Sequence, residues 1–240
     1  MLARDPVVFL PGLVCDATVW ESQVAAISRQ RKCVVADYGA LDSIPAMAQQ
    51  VLSEAPARFC VAGHSMGGRV ALEILRAAPQ RVARLALLDT GYQARPVGEA
   101  GEDEARKRRR LLELAATHGM RAMGLEWVQG MVHPLRLRDA PLMDAILAMI
   151  ERKSAAIFAA QIRALLDRPP AENVLAQIRV PTLVLCGRED AWSPLSRHED
   201  MAAAIRGARL AVVDDCGHMS TMERPAQVLA ALEAWLDADA

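Results

Sequence analysis

The stretch Phe59-Cys60-Val61-Ala62-Gly63-His64-Ser65-Met66-Gly67-Gly68-Arg69-Val70 joins a short apolar run, a Gly-x-Ser-x-Gly turn and the opening of a helical pattern. A run without polar alternation reads as a strand buried on both faces, the mark of a parallel sheet covered by helices. Small residues on either side of the serine let strand and helix approach closely, and the tight bend holds the hydroxyl out in a strained backbone. The following helix aims free N–H groups at charge developing beside that oxygen. The spacing fits neither the dinucleotide-binding fingerprint nor the P-loop, which also requires a lysine. Ser65 is the candidate nucleophile.

Outward from this stretch, strand-like runs at 6–10, 33–36, 58–63 and 85–89 alternate with segments at helical spacing. Trp20, Val24 and Ile27 recur at helical intervals, and the helix carrying Val70, Ile74 and Leu75 stops before Pro79. From about residue 95 to 171 no strand-like run appears, and the sequence reads as helices rich in Arg, Ala, Leu and Met. Alternation resumes with a strand at 180–186, a helix near 196–205 and a strand at 208–213. A last helix is opened by Pro225, with the stripe Val228, Leu229, Leu232, Trp235 and Leu236. The expectation is an α/β fold with an open, mostly parallel sheet whose core comprises residues 1–94 and 172–240, interrupted by a helical insertion at 95–171.

The 240 residues suit one large domain or one domain with an insertion, and 52% hydrophobic with 24% charged residues excludes disordered, collagenous and disulfide-scaffold classes. With 28 basic against 29 acidic residues, no global field recruits nucleic acid or an anionic membrane. Cys15, Cys33, Cys60, Cys186 and Cys216 are odd in number and lack the close pairs of zinc sites, so reduced thiols in a cytoplasmic protein are expected. The apolar run near the N-terminus is broken by Pro11 and Gly12, which argues against a signal peptide, and no run reaches membrane-spanning length.

A serine hydroxyl needs a base. Of the five histidines His218 is best placed, in Asp214-Asp215-Cys216-Gly217-His218-Met219 directly after the last strand, at the carboxyl edge where α/β active sites collect. His64 adjoins the serine and reads as packing or orienting the turn, while His118, His133 and His198 read as solvated surface residues. Asp190 is the candidate partner for the base, because it follows the strand Thr182-Leu183-Val184-Leu185-Cys186 through a short turn at the same edge. Glu189 points the other way in a tight turn, Asp214 and Asp215 lie too near His218 in sequence, and Asp89 is the understudy.

The chain order Ser65, Asp190, His218 on alternating strands and helices resembles the α/β-hydrolase fold over nearly the whole chain. More narrowly it is similar to the small esterase, lactonase and carbon–carbon hydrolase branch. That resemblance implies a three-layer core with the helical segment acting as a cap, and an oxyanion hole from the backbone N–H groups of Met66 and Leu13. Pro11-Gly12 stands where such proteins usually carry His-Gly, and the chain opens almost directly at the first central strand, so about six strands are expected rather than eight. The implied activity is hydrolysis of a small, partly apolar ester or lactone without metal or organic cofactor. Carbon–carbon cleavage, acyl transfer and perhydrolysis by the same three residues are the alternatives, with a small-molecule sensor on the same scaffold as a rival of another class. The expected partner is a small-molecule substrate, with neither nucleic acid nor membrane.

Trp192 after the acid, Met219 after the histidine, and Trp127 and Phe158 in the insertion are candidate pocket walls, each equally suited to an ordinary core role. The run Arg106-Lys107-Arg108-Arg109-Arg110 follows Glu102-Asp103-Glu104 and fits a helix with acids at its start and a solvated basic face better than a substrate clamp.

Overall fold

A computed structural model describes residues 4–238. The apolar runs become β1 (Val7–Leu10), β2 (Cys33–Val35), β3 (Phe59–His64), β4 (Val82–Leu88), β5 (Thr182–Gly187) and β6 (Arg209–Val213). They form one six-stranded sheet in the order β2-β1-β3-β4-β5-β6, every pair parallel. β1, β3 and β5 are buried throughout, as their unbroken apolar sequences require, and edge strand β2 is half-buried. β5 begins at Thr182 rather than 180 because Pro181 has no N–H for the ladder; its carbonyl accepts from Leu85 N.

The core helices are α1 (Glu21–Ile27), α2 (Ile44–Glu54), α3 (Met66–Ala77), α7 (Glu172–Leu175), α8 (Leu195–Ala204), α9 (Ser220–Glu223) and α10 (Pro225–Asp237). The crossovers between parallel strands carry these helices up to α8, with α2 packed on α3 and α1 on α10. Ser43 caps α2 by accepting from Ala46 N, and Pro225 occupies the first turn of α10. Trp20 lies in a 3-10 turn, Ala17–Trp20, capped by Asp16, and α1 starts one residue later.

Between β4 and β5 the chain is helical: α4 (Glu99–Trp127), α5 (Ala140–Glu151) and α6 (Ala155–Leu166). α4 is two helical segments joined at Gly119, whose φ of 87° suits glycine alone. α5 and α6 open on side-chain caps from Asp139 and Ser154. Their apolar faces merge with the core cluster, and Arg152–Asp16, Lys153–Asp37 and Arg163–Asp42 ion pairs tie them to the loops after β1 and β2. Among the described residues no helix is long and apolar enough to cross a membrane, and the five cysteines form no disulfide.

Sheet order reverses between β1 and β3, since β1 leads outward to β2 and β3 leads to β4. The carboxyl ends of those two strands diverge into a crevice, the position where open α/β sheets hold ligands. Ser65 follows β3 and Leu13 follows β1, so both stand at its lip.

Candidate active site

β3 runs into α3 through Ser65 alone, whose backbone is held at φ 54°, ψ −116°. A non-glycine residue at positive φ stores strain, and the packing around the turn maintains it. A Cβ on Gly63 would lie 2.4 Å from Gly67 O, and one on Gly67 would lie 2.1 Å from Leu10 O, so only hydrogen fits where β1, β3 and α3 meet. Ser65 N donates to Leu88 O at 2.9 Å, and Thr90 Oγ1 donates to Ser65 O at 2.6 Å.

The loop after β6 brings His218 Nε2 to 2.7 Å from Ser65 Oγ. On the other side of the ring, His218 Nδ1 is 2.7 Å from Asp190 Oδ2, while Asp190 Oδ1 accepts from the N–H groups of Trp192 and Ser193, each at 2.8 Å. Three sequence-separated side chains thus form one hydrogen-bonded line. His218 and Asp190 are almost wholly buried. Burial disfavours the imidazolium, but the charge and hydrogen bond of Asp190, with Asp89 and Glu223 behind it, outweigh this and raise the His218 pKa above 6.5. Burial also works against the Asp190 carboxylate, and His218 with the two backbone N–H groups holds it ionised, below the usual carboxylate range.

Asp89, the understudy, does not reach the ring of His218. Its carboxyl accepts from Gly187 N and from the backbone and hydroxyl of Ser220, and lies 3.6 Å from His64 Nε2. Burial and the neighbouring Asp190 charge push its pKa well up. His64 is fully enclosed; its Nε2 donates to His218 O at 2.8 Å, and burial with the His218 charge lowers its pKa to about 3. His198 is not a surface residue as expected from sequence. It is buried beneath the site, where a neutral Nε2 accepts from Thr90 N at 3.0 Å. His118 is exposed, and His133 caps a 3-10 turn. Glu189 points away from His218 and accepts from Cys216 N.

Leu13 and Met66 both line the cavity above Ser65, and no hydrogen bond within the described residues takes the N–H of either. Next to Leu13, Val14 is held at φ 52°, its N–H donating to Gln161 Oε1 of α6 at 2.8 Å. The cavity is open, about 880 Å³, and is walled by both the core and the helices inserted between β4 and β5. Trp127 and Trp192 line it, their rings edge to face at 6.2 Å. Met219 and Phe158 do not, contrary to expectation: both are fully enclosed in the apolar core, where Phe158 packs on the inner face of α6. In the basic run, Arg106 and Lys107 pair with Asp103, and Arg110 with Glu126, on the solvated face. Arg108 and Lys107 also reach the cavity wall.

Several positioning groups carry no signal in the sequence. Glu223 is fully buried; its carboxylate accepts from His133 N, Gly217 N and Met219 N, bracketing His218 on both sides. Gln161 lies 147 residues from Val14, and Thr90 lies 25 residues from Ser65 and 108 from His198. Only the folded chain brings such partners together.

The family model described as the alpha/beta hydrolase family matches residues 7–232. Pimeloyl-[acyl-carrier protein] methyl ester esterase of Aromatoleum aromaticum is 27% identical, over 92% of this chain and 94% of that protein. A thermophilic esterase from Thermogutta terrifontis superposes with a TM-score of 0.86 at 28% identity, covering 96% of this chain and 89% of the other. The enol-lactonase from Burkholderia xenovorans LB400 shares the fold, with a TM-score of 0.84 at 22% identity and coverage of 98% and 92%. With its six-stranded parallel sheet, its helical insertion and a family match spanning almost its whole length, this chain belongs to the alpha/beta hydrolase family and is a hydrolase.

Proposed function

We propose that this protein is a serine hydrolase cleaving a small, partly apolar carboxylic ester or lactone through an acyl-enzyme on Ser65. The observation that carries this reading is the unbroken line from Ser65 Oγ to His218 to Asp190, with both links at 2.7 Å and Ser65 opening into the cavity. His218 Nε2 takes the hydroxyl proton as Ser65 Oγ attacks the carbonyl carbon, and Asp190 holds the ring and stabilises the imidazolium. The N–H groups of Leu13 and Met66 receive the oxyanion, where donors fixed in advance cost no reorganisation as charge develops. The imidazolium proton then passes to the departing alkoxide. Water, deprotonated by His218, attacks the acyl carbon and frees Ser65. Residues 95–171 act as a cap that walls the cavity with Trp127 and encloses the acyl group. The relatives named as esterases and an enol-lactonase support ester or lactone chemistry.

The test is covalent labelling. A fluorophosphonate is expected to add one equivalent, located at Ser65 by peptide mass spectrometry, and Ser65→Ala is expected to lose both labelling and turnover of p-nitrophenyl esters. A panel of graded acyl esters, lactones and a diketone identifies the scissile bond. Full hydrolysis by Ser65→Ala would overturn the acyl-enzyme, and ligand binding without turnover of any compound would favour a sensor.

A further inference from the structure

Four guanidinium groups, those of Arg69, Arg108, Arg168 and Arg197, stand in the wall of the cavity that Ser65 opens into. Glu104 accounts for two of them, forming a forked pair with Arg168 and accepting at Oε1 from both Nε and Nη2 of Arg108. Arg69 and Arg197 have no carboxylate within 4 Å among the described residues. Each is instead fixed by neutral oxygens: Arg69 Nη1 donates to Gln93 O at 2.8 Å, and Arg197 Nη1 donates to Trp192 O at 3.2 Å. The two side chains flank Gly91. A Cβ there would lie 2.9 Å from Arg69 Nη2 and 3.0 Å from Arg197 Cδ, so the missing side chain leaves room for both.

Two cations held in place, unneutralised and with most of their five donors unspent, form a fork awaiting an anion. Burial, and then the charges of Arg168, Arg197 and Arg108, lower the Arg69 pKa to about 9. Arg69 is four residues beyond Ser65 on α3, one helical turn or about 6 Å of rise from the nucleophile. Ser65 and Arg69 line one cavity, so a molecule with its carbonyl at Ser65 can turn a carboxylate a few carbon atoms away toward Arg69.

Resting on the serine hydrolase reading above, we propose that Arg69 and Arg197 form an anion subsite, and that the ester or lactone cleaved at Ser65 carries a free carboxylate at its far end. A planar carboxylate matches the guanidinium fork and relieves the repulsion between the two arginines.

The experiment compares monomethyl with dimethyl esters of succinic, glutaric and adipic acids. The wild type is expected to favour the half-ester of at least one acid by roughly tenfold or more in kcat/KM. Arg69→Gln is expected to reduce that ratio by about 10–100-fold, the loss of one charge-assisted contact, and Arg69→Lys to restore part of it. Because the ratio is taken on one preparation, a partly unfolded variant does not disturb it. Equal use of both esters by the wild type, or an unchanged ratio in Arg69→Gln, would overturn the subsite. A second arm needs no turnover: calorimetric binding of glutarate to Ser65→Ala, expected to weaken at least tenfold when Arg69→Gln is added. If neither these esters nor any p-nitrophenyl ester or lactone is cleaved, the hydrolase reading fails while this arm still decides the subsite; if substrates are cleaved but glutarate does not bind, the subsite alone fails.

Discussion

At the scale of single residues, two buried aspartates lie near one histidine with their pKa values pushed in opposite directions, and hydrogen-bond geometry decides which serves the ring. His218 and two N–H groups lower the Asp190 pKa, whereas burial and the Asp190 charge raise that of Asp89. Asp190→Asn is expected to lower kcat by up to about 10⁴-fold, because an amide permits the wrong tautomer of His218. Asp89→Asn leaves the partner of the ring in place but turns an NH2 toward the N–H of Gly187 or Ser220, so it is expected to lower stability by about 1.5–3 kcal/mol while kcat of the folded protein falls far less than in Asp190→Asn; urea denaturation and steady-state kinetics on one ester distinguish the two. The pH profile has a definite sign. Ser65 needs neutral His218, so kcat/KM rises with pH as the ring loses its proton. The raised pKa of His218 places that limb above pH 6.5. Removing the Asp190 charge withdraws the main support of the imidazolium, so any residual activity of Asp190→Asn is expected to titrate at lower pH.

Among the elements, the contact of β1, β3 and α3 is the least forgiving. Gly67→Ala would drive a methyl group into the carbonyl of Leu10, a backbone atom that cannot swing away. A loss of about 1–3 kcal/mol in urea denaturation is expected, accompanied by lower labelling of Ser65. The loop carrying His218 depends in the same way on Glu223. Glu223→Gln exchanges an acceptor-only group for one that turns an NH2 toward backbone donors, and is expected to cost about 1.5–3 kcal/mol. Both the strand–turn–helix unit and the strand ends that offer Asp190 and His218 could be read from the chain, because they depend on local pattern and on glycines within a few residues. Glu223 could not be read. Its partners Gly217 and Met219 are near in sequence, but its burial against His133 depends on where the inserted segment returns.

Over the whole molecule, the segment between β4 and β5 is bound to the core by Arg152–Asp16 and Arg163–Asp42 pairs and by Gln161, which holds the loop bearing Leu13. The protein therefore couples the cavity wall to the proposed oxyanion donors. A second consequence concerns pH. His64 and His198 are enclosed as neutral rings, with pKa values lowered to about 3 and about 4 by burial. The unfolded chain takes up protons at both near pH 6.5 and the folded chain does not, so their contribution to stability is present above pH 6.5 and is lost as pH falls toward 4. Ring titration followed by NMR is expected to leave both unprotonated at pH 5.5 while His218 titrates above 6.5. Protonation of His198 near neutrality would contradict its burial.

The sequence by itself determined the parallel α/β core, the position of the helical insertion, and Ser65, Asp190 and His218 as one constellation. Each follows from short-range pattern: unbroken apolar runs, a turn that demands glycine, and polar residues at strand ends that a parallel sheet must gather at one edge. Tertiary structure alone decided which side chains the cavity meets. Helical spacing leaves open which of several apolar residues faces inward, and so Trp127 and Trp192 line the cavity whereas Phe158 and Met219 are enclosed in the core. It also decided charge. A histidine or arginine has no fixed environment in an extended chain, and only packing made His198 a neutral buried acceptor and left Arg69 beside the cavity without a carboxylate.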